Sequence, residues 1–324
     1  TGSIGSAVVE EILKHGCKTL RVLSNDENSL HDLSLKIRES SNFFDSMKKN
    51  KIRYIYGDIT DQNRVNSACE DVDIIIHAAA MKHVPICEYN PFEATKVNVI
   101  GTENMIKASL KNKVKKFILI STDKVVDPTT CLGATKLLAE KITLNSNLNK
   151  GNKKISFSVV RFGNVIGTRG SALPKFIYQF KNNQKITLTD KDSTRFFVTK
   201  YEAVNTIINA TNIMKGGEIF LPKIVNAIKI SDLVKVLSKY FSQSKSKIVN
   251  TGLRFAEKKH EKIITDSEYN FLRSHKNLII IDFLRGNRFK KFNNNFKSFD
   301  SSKAKLLNTK EIYNYLKKIS LFNF

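Results

Sequence analysis

Thr122, Asp123 and Lys124 follow directly on an apolar run, Lys116-Phe-Ile-Leu-Ile120, with Ser121 between, and a second lysine, Lys136, comes twelve residues later. A hydroxyl, a carboxyl and an amine at the carboxyl end of a short buried strand can move protons on a bound substrate. The residues from about Gly133 to Leu144 read as a helix, and Leu132 and Lys136 share one face of its start. In an open α/β sheet, ligands sit in the crevice beyond the carboxyl ends of the strands. The same residues would equally make a strand with a polar turn and a solvated lysine. The surrounding elements have to decide between the two.

Those elements alternate. Strands are expected at 20–23, 52–56, 72–77 and 116–120, with helices at 6–15, 30–38, 64–69 and 91–112 between them. This βαβ rhythm predicts an α/β fold with a doubly wound parallel sheet. Thr1-Gly2-Ser3-Ile4-Gly5 has the spacing of the last two glycines of a Gly-x-x-Gly-x-x-Gly phosphate loop opening a helix. Glycines let the backbone approach a pyrophosphate, and a helix start supplies amide donors. The first glycine and its strand would lie upstream of Thr1, so the sheet is expected to lack its central first strand and the chain to be truncated at its amino end.

The ends of the next strands carry further candidates. Ser24 and Asn25 hold the places where an acidic residue would bond the ribose hydroxyls of NAD. Their neutrality leaves room for NADP, although no arginine stands beside them to grip its phosphate. Asp58, followed by Ile59, ends another strand and could accept from an adenine amine or serve as a helix cap. Ala78, Ala79 and Ala80 follow His77, and their small side chains would let a dinucleotide lie close to the backbone. His77 and Asn98 read as structural, and Lys82 as a substrate contact.

In the second half, a strand is expected at 156–161, a helix at 172–182 and strands at 186–189 and 278–281. A last helix is expected at 309–319, and Asn293-Asn294-Asn295 marks an exposed loop. Asn164 lies just past the first of these strands. Arg195 and Arg254 could clamp a diphosphate, because guanidinium forks match phosphate oxygens, or could simply make surface ion pairs. Residues 1–163 are expected to form the dinucleotide-binding (Rossmann) domain, with further elements returning at about 190–230. Residues 164–189 and 231–324 would then form a smaller C-terminal substrate-binding region.

Composition narrows the class. The 324 residues, 41% hydrophobic and 26% charged, suit a soluble globular protein, and the apolar runs are too short to span a membrane. Four scattered cysteines without a CxxC pair read as reduced cytosolic thiols rather than metal ligands or a disulfide frame. The net charge of +24 is lopsided: 21 Lys+Arg against 18 Asp+Glu in residues 1–150, and 33 against 12 in residues 151–324. A basic second half could meet nucleic acid or an anionic nucleotide. Dispersed lysines with no aromatic RNA-binding motif favour a solvated surface, and no specific nucleic-acid partner is expected.

Taken together, these motifs resemble the UDP-N-acetylglucosamine 4,6-dehydratases, a nucleotide-sugar branch of the extended short-chain dehydrogenase/reductases that serves polysaccharide and glycan synthesis. The resemblance runs over nearly the whole chain. It rests on Thr1-Gly-Ser-Ile-Gly5, Tyr56-Gly-Asp58, His77 to Pro85, Ser121-Thr-Asp-Lys124, Gly133-Ala-Thr-Lys136, Arg161-Phe-Gly-Asn164, Thr194-Arg-Phe-Phe197 and Arg254-Phe-Ala-Glu-Lys258. Two departures stand out. Leu132 occupies the superfamily's tyrosine position, where some dehydratases look similar in carrying methionine. Ala256 replaces the glycine of Arg-x-Gly-Glu-Lys, where a positive φ would favour glycine.

The resemblance implies a cytoplasmic homo-oligomer that uses NADP, or NAD, on a UDP-sugar. Hydride would leave C4, Lys124 would take the C5 proton, Asp123 would protonate the departing C6 hydroxyl, and hydride would return to C6. Thr122 would hold the C4 hydroxyl, and Lys136 the nicotinamide ribose. The charge of Lys136 would help depress the pKa of Lys124, and burial would keep Asp123 protonated when it acts. Lys82, Asn164, Arg195, Arg254 and Glu257 would hold the substrate. A UDP-sugar 4-epimerase is the rival among enzymes, although it would want the tyrosine. A non-catalytic dinucleotide-fold protein binding nucleic acid through its basic half is the rival from another class.

Overall fold

Side chains alternate across the central strands and divide the core. Phe117, Leu119, Phe157 and Val159 enter one cluster, and Ile118, Ile120, Val160 and Phe162 another. Successive residues of a strand point to opposite faces, so a strand covered on both sides is apolar throughout. Each fully buried Phe, Ile or Leu contributes about 1.5–3 kcal/mol. Lys116-Phe-Ile-Leu-Ile120 is therefore fixed in the middle of the molecule, and Thr122 to Lys124 emerge at its end.

The computed structural model describes residues 1–40, 51–223, 226–241, 247–283, 289–292 and 298–319. The expected loop at Asn293 to Asn295 lies outside them. The strands are β1 (Thr19–Ser24), β2 (Lys51–Tyr56), β3 (Ile74–His77), β4 (Lys116–Thr122), β5 (Ser156–Phe162), β6 (Asn164–Val165), β7 (Ile186–Leu188), β8 (Thr194–Val198), β9 (Glu218–Pro222), β10 (Asn226–Lys229), β11 (Ile248–Asn250), β12 (Leu272–His275), β13 (Leu278–Asp282) and β14 (Lys290–Lys291). The main sheet runs β14-β12-β13-β9-β5-β4-β3. Its β3, β4, β5 and β9 are parallel, and β13, β12 and β14 extend it antiparallel. β1 and β2 pair in parallel as a separate two-stranded sheet. Residues of β1 and β3 line the same cleft.

A third core belongs to a smaller layer. Leu173, Phe176 and Phe180 of the helix Ala172–Lys181 pack with Leu233 and Leu237 of the helix Ile230–Tyr240 and with Ile312 and Leu316 of the helix Thr309–Lys318. Short sheets β10-β8-β6 and β11-β7 adjoin it. Among the described residues no helix is long and apolar enough to cross a membrane.

Local chemistry sets the helix boundaries, and several differ from expectation. Asp26 caps the helix Glu27–Glu39 and Asp61 caps Gln62–Cys69, so both begin earlier than apolar periodicity alone indicates. Thr130 caps Cys131–Asn149 by accepting from the Gly133 N–H, which places Leu132 and Lys136 within its first two turns. The single helix expected over 91–112 is instead an α-turn at Pro91–Thr95, a π-turn at Lys96–Ile100 and a helix at Gly101–Lys111. Asn98 sits in the π-turn. Its side chain accepts from the Met81 N–H and donates to Met81 O and Thr135 Oγ1, clasping the loop beyond β3 to the helix after β4.

Candidate active site

A cleft of about 2460 Å³ runs along the groove between β1 and β3 and opens beyond the carboxyl ends of β3, β4 and β5. Every residue that the sequence marked for cofactor, substrate or proton transfer lines it, except Asp123, which lies fully buried directly behind.

Thr122 ends β4, and a single 3-10 turn, Asp123–Val125, follows. Asp123 Oδ1 accepts from Thr122 Oγ1 at 2.9 Å and from Lys124 Nζ at 3.0 Å, while Oδ2 is buried without a partner. Lys124 Nζ also lies 3.5 Å from Glu261 Oε1. Burial disfavours the Lys124 ammonium, but the carboxylates of Asp123 and Glu261 outweigh it and hold this amine above the usual lysine range. This corrects the expectation that Lys136 depresses Lys124. Of these two lysines the lowered one is Lys136, which burial pushes down to about 8 against the opposing pull of Glu140. Its Nζ donates to Ile120 O at 2.7 Å. Leu132, at the tyrosine position, is buried against Cys87 and Ala94 and offers no hydroxyl.

Tight packing fixes this arrangement. A Cβ on Gly133 would stand 2.3 Å from Lys124 O, so the start of the helix Cys131–Asn149 rests directly on the backbone of the lysine turn. From the far side, Arg161 reaches across with 2% of its side chain exposed. It bonds Glu140 at 2.7 and 3.2 Å, Glu268 at 2.9 Å through both nitrogens, and Ile263 O at 3.1 Å. One guanidinium thereby ties β5 and the helix Cys131–Asn149 to the segment that carries Glu261.

The dinucleotide side is built from the glycine turn. The helix Ser3–His15 starts with no side-chain cap, and a Cβ on Gly2 or Gly5 would meet nothing within 4 Å. The first-turn amides of Ser3, Ile4 and Gly5 are thus the unsatisfied donors that an anionic group takes up. Ser24 Oγ bonds Thr1 Oγ1 at 2.8 Å, and Asn25 Nδ2 donates to Asp58 Oδ2 at 2.7 Å. Asp58 also accepts from the N–H and hydroxyl of Thr60, both at 2.8 Å, so it braces a turn while Asp61 caps the helix. Ile59 is buried, and Ala78 to Ala80 border the cleft. These open glycines, bare amides and small side chains fit a dinucleotide. His77 is structural: it bonds Thr102 Oγ1 at 3.1 Å, and burial drives its imidazole down to about 3.

The substrate side departs further from expectation. Arg195 is only 8% exposed, and its guanidinium is committed to Thr194 O, Lys258 O and Lys259 O, each at 2.8 Å, and to Glu257 at 3.3 Å. Through its two terminal nitrogens it shapes the 257–259 loop at the edge of the cleft. Glu257 braces the same loop, accepting from the Arg254 N–H at 3.2 Å and from Thr189 Oγ1 at 3.3 Å. Arg254 stands exposed at the cleft. Ala256 adopts φ 59, the left-handed conformation that a glycine would hold without strain. Asn164 Oδ1 is buried without a partner on the cleft wall. Lys82 Nζ donates to Arg169 O at 2.6 Å.

Two residues were not singled out from sequence. One is Arg169, whose guanidinium reaches Thr1 O at 2.7 Å and Ser29 Oγ at 3.4 Å. An arginine therefore does stand near Ser24, supplied from 140 positions beyond Ser29. Glu261 is the other, and its only local signal was its place in the run Lys258-Lys-His-Glu261.

This fold and site define a dinucleotide-fold protein of the extended short-chain dehydrogenase/reductase class. The chain belongs to the polysaccharide biosynthesis protein family, whose model matches residues 1–282. It is 43% identical over 328 residues to an uncharacterized membrane protein of Methanocaldococcus jannaschii, covering 99% of this chain and 94% of that one. It is 40% identical over 270 residues to a UDP-N-acetylglucosamine 4,6-dehydratase (inverting) of Campylobacter jejuni, covering 83% and 76%. A UDP-glucose 4-epimerase of Rickettsia bellii is 36% identical over 272 residues, covering 83% and 76%. The X-ray structure of Pen from Bacillus thuringiensis superposes with a TM-score of 0.89 at 36% identity, covering 98% of this chain and 94% of that one.

Proposed function

We propose that this protein is a nucleotide-sugar 4,6-dehydratase that converts UDP-N-acetylglucosamine, or a close UDP-N-acetylhexosamine, to a 4-keto-6-deoxy sugar. The observation that carries the reading is the ion pair of Asp123 and Lys124, 3.0 Å apart beyond the end of β4. Elimination of water needs one group to take a proton from carbon and another to give one to the leaving hydroxyl. Adjacent carboxyl and amine groups meet both needs. The name of the Campylobacter relative supports the same reading.

A bound nicotinamide dinucleotide supplies the redox chemistry at C4 and C6. The chain's own residues do the rest. Gly2, Ser3, Ile4 and Gly5 present amides to the pyrophosphate. Ser24 and Asn25 lack the carboxylate that would repel a 2′-phosphate, and Arg169 adds a cation nearby, which favours NADP. Thr122 orients the C4 hydroxyl, and Lys136 holds the nicotinamide ribose. Lys124 exchanges the C5 proton, and Asp123 donates to the C6 oxygen. Arg254, Asn164 and Lys82 meet the nucleotide sugar.

The names of the Rickettsia relatives favour a second reading, a UDP-sugar 4-epimerase. Leu132 argues against it, since it puts a buried alkyl group where an epimerase uses a phenol. The two readings part at the product. UDP-N-acetylglucosamine incubated with the protein and NADP should lose the mass of one water with no net reduced cofactor. In deuterated water it should gain deuterium at C5. An inverted C4 at unchanged mass would replace the dehydratase reading with the epimerase, and a loss of two hydrogens with accumulated reduced cofactor would indicate a simple dehydrogenase.

A further inference from the structure

Lys124 faces two carboxylates. Asp123 adjoins it in sequence, and Glu261 arrives from 137 residues further along. Glu261 is 3% exposed and lines the cleft. Its Oε1 lies 3.5 Å from Lys124 Nζ, and its Oε2 is buried without a hydrogen-bond partner. Its backbone is pinned on both sides: the Glu261 N–H donates to Ser301 Oγ at 2.8 Å, and the Ser301 N–H donates to Glu261 O at 2.9 Å. Arg161 fixes the same segment two residues on, at Ile263 O. A carboxylate buried at this cost, held by its own scaffold and set beside the Lys124 amine, is a placed charge rather than a solvated one.

We infer that Glu261 is a positioning residue of this site, holding Lys124 as an ammonium on the cleft wall between two carboxylates. The inference rests on the proposed dehydration for its chemical meaning. In that reaction a proton passes from Lys124 Nζ to Asp123, giving a neutral amine and a neutral acid. The amine then takes the C5 proton, the C5–H electron pair forms the C5–C6 double bond, and the C6–O bond breaks. The departing oxygen takes the Asp123 proton and leaves as water. Ammonium and carboxylate are thereby restored, and the ammonium is the form that returns a proton to C5. Glu261 favours that form, so it acts on the returning half of the cycle. The charged groups facing Glu261 are Lys124, Asp123, Arg195 and Lys258, the last with Nζ 3.9 Å from Oε2. Burial pushes the Glu261 carboxyl up, and the three cations oppose that shift.

The test reads Lys124 directly and needs no turnover. Competitive acetylation of the intact protein across a pH series, followed by mass spectrometry, gives the titration midpoint of Lys124 against exposed lysines. In the wild type it should lie above them. Glu261→Gln, which keeps the shape and removes the charge, should weaken proton binding at Lys124 by at least about tenfold, one pH unit of midpoint. Glu261→Asp, which keeps the charge, should stay near wild type. A wild-type midpoint at or below the exposed lysines overturns the inference without any variant, as does an unmoved midpoint in Glu261→Gln or an equal fall in both variants. A protein that forms no dehydrated product would overturn the proposed reaction, and the labelling would still decide the role of Glu261.

Discussion

Lys136 should destabilise this fold at neutral pH, and replacing it should make the protein more stable and inactive. Its folded pKa of about 8 lies below the ordinary 10.5 because a 5% exposed ammonium is poorly solvated. At 1.36 kcal/mol per unit, that gap is a cost of about 3 kcal/mol to keep the side chain charged in the native state. Between pH 8 and 10.5 the unfolded chain binds a proton at this lysine and the folded chain does not, so stability rises with pH by about 1.4 kcal/mol per unit. The cost is fully present below the folded pKa and gone above the unfolded one. Lys136→Met removes the charge and keeps the bulk, but it gives up the 2.7 Å bond to Ile120 O, worth about 1–2 kcal/mol. The variant should be more stable than wild type by about 1–2 kcal/mol at pH 7 and less stable by a similar margin near pH 10.5. Urea unfolding of both proteins across that range measures the crossing. Parallel stability curves, or a variant weaker at every pH, would refute the argument that burial has lowered this amine.

Arg161→Met should cost about 3–5 kcal/mol in the same urea assay, because Glu140 and Glu268 are left buried without their shared cation. Ala256→Gly should stabilise by about 0.5–1 kcal/mol, since relief of a left-handed alanine worth about 1–2 kcal/mol exceeds the added chain entropy of glycine. A fall in its denaturation midpoint would show that the φ of 59 carries no strain. Gly133→Ala should lose turnover and about 1–3 kcal/mol of stability, because the new methyl would meet Lys124 O at 2.3 Å and move the lysine turn. Unchanged activity there would mean that the turn adapts at no cost.

Much of the site was legible in the sequence because it is local. Thr122, Asp123 and Lys124 follow an apolar strand, so the end of that strand places them together. The glycine spacing at Gly2 and Gly5 likewise announces a helix start. What sequence did not disclose came from long-range contacts. The break at Asn98 arises from its bonds to Met81 and Thr135, which no periodicity encodes. Arg195 has the composition of a phosphate clamp, and only the fold surrounds it with three carbonyls. Glu261 and Arg169 reach the site across more than a hundred residues, and Asp123 and Glu261, rather than Lys136, set the direction in which Lys124 is shifted. The left-handed turn at Ala256 was anticipated as a place where glycine would be at home, and alanine occupies it nonetheless.

The fastening of Glu261 to Ser301 sets an order of assembly. The Lys124 turn is made first, whereas the hydroxyl that pins the backbone of Glu261 is added 177 residues later. At about 5–20 residues per second that interval is roughly 10–35 s. For most of it the emerging chain holds Lys124 opposite Asp123 alone, until Glu261 and then Glu268 are added, and Glu261 waits a further 40 residues for Ser301. A nascent dinucleotide fold can therefore precede its finished chemistry by many seconds, and ribosome-bound chains stalled before and after residue 301 should differ in the titration of one lysine.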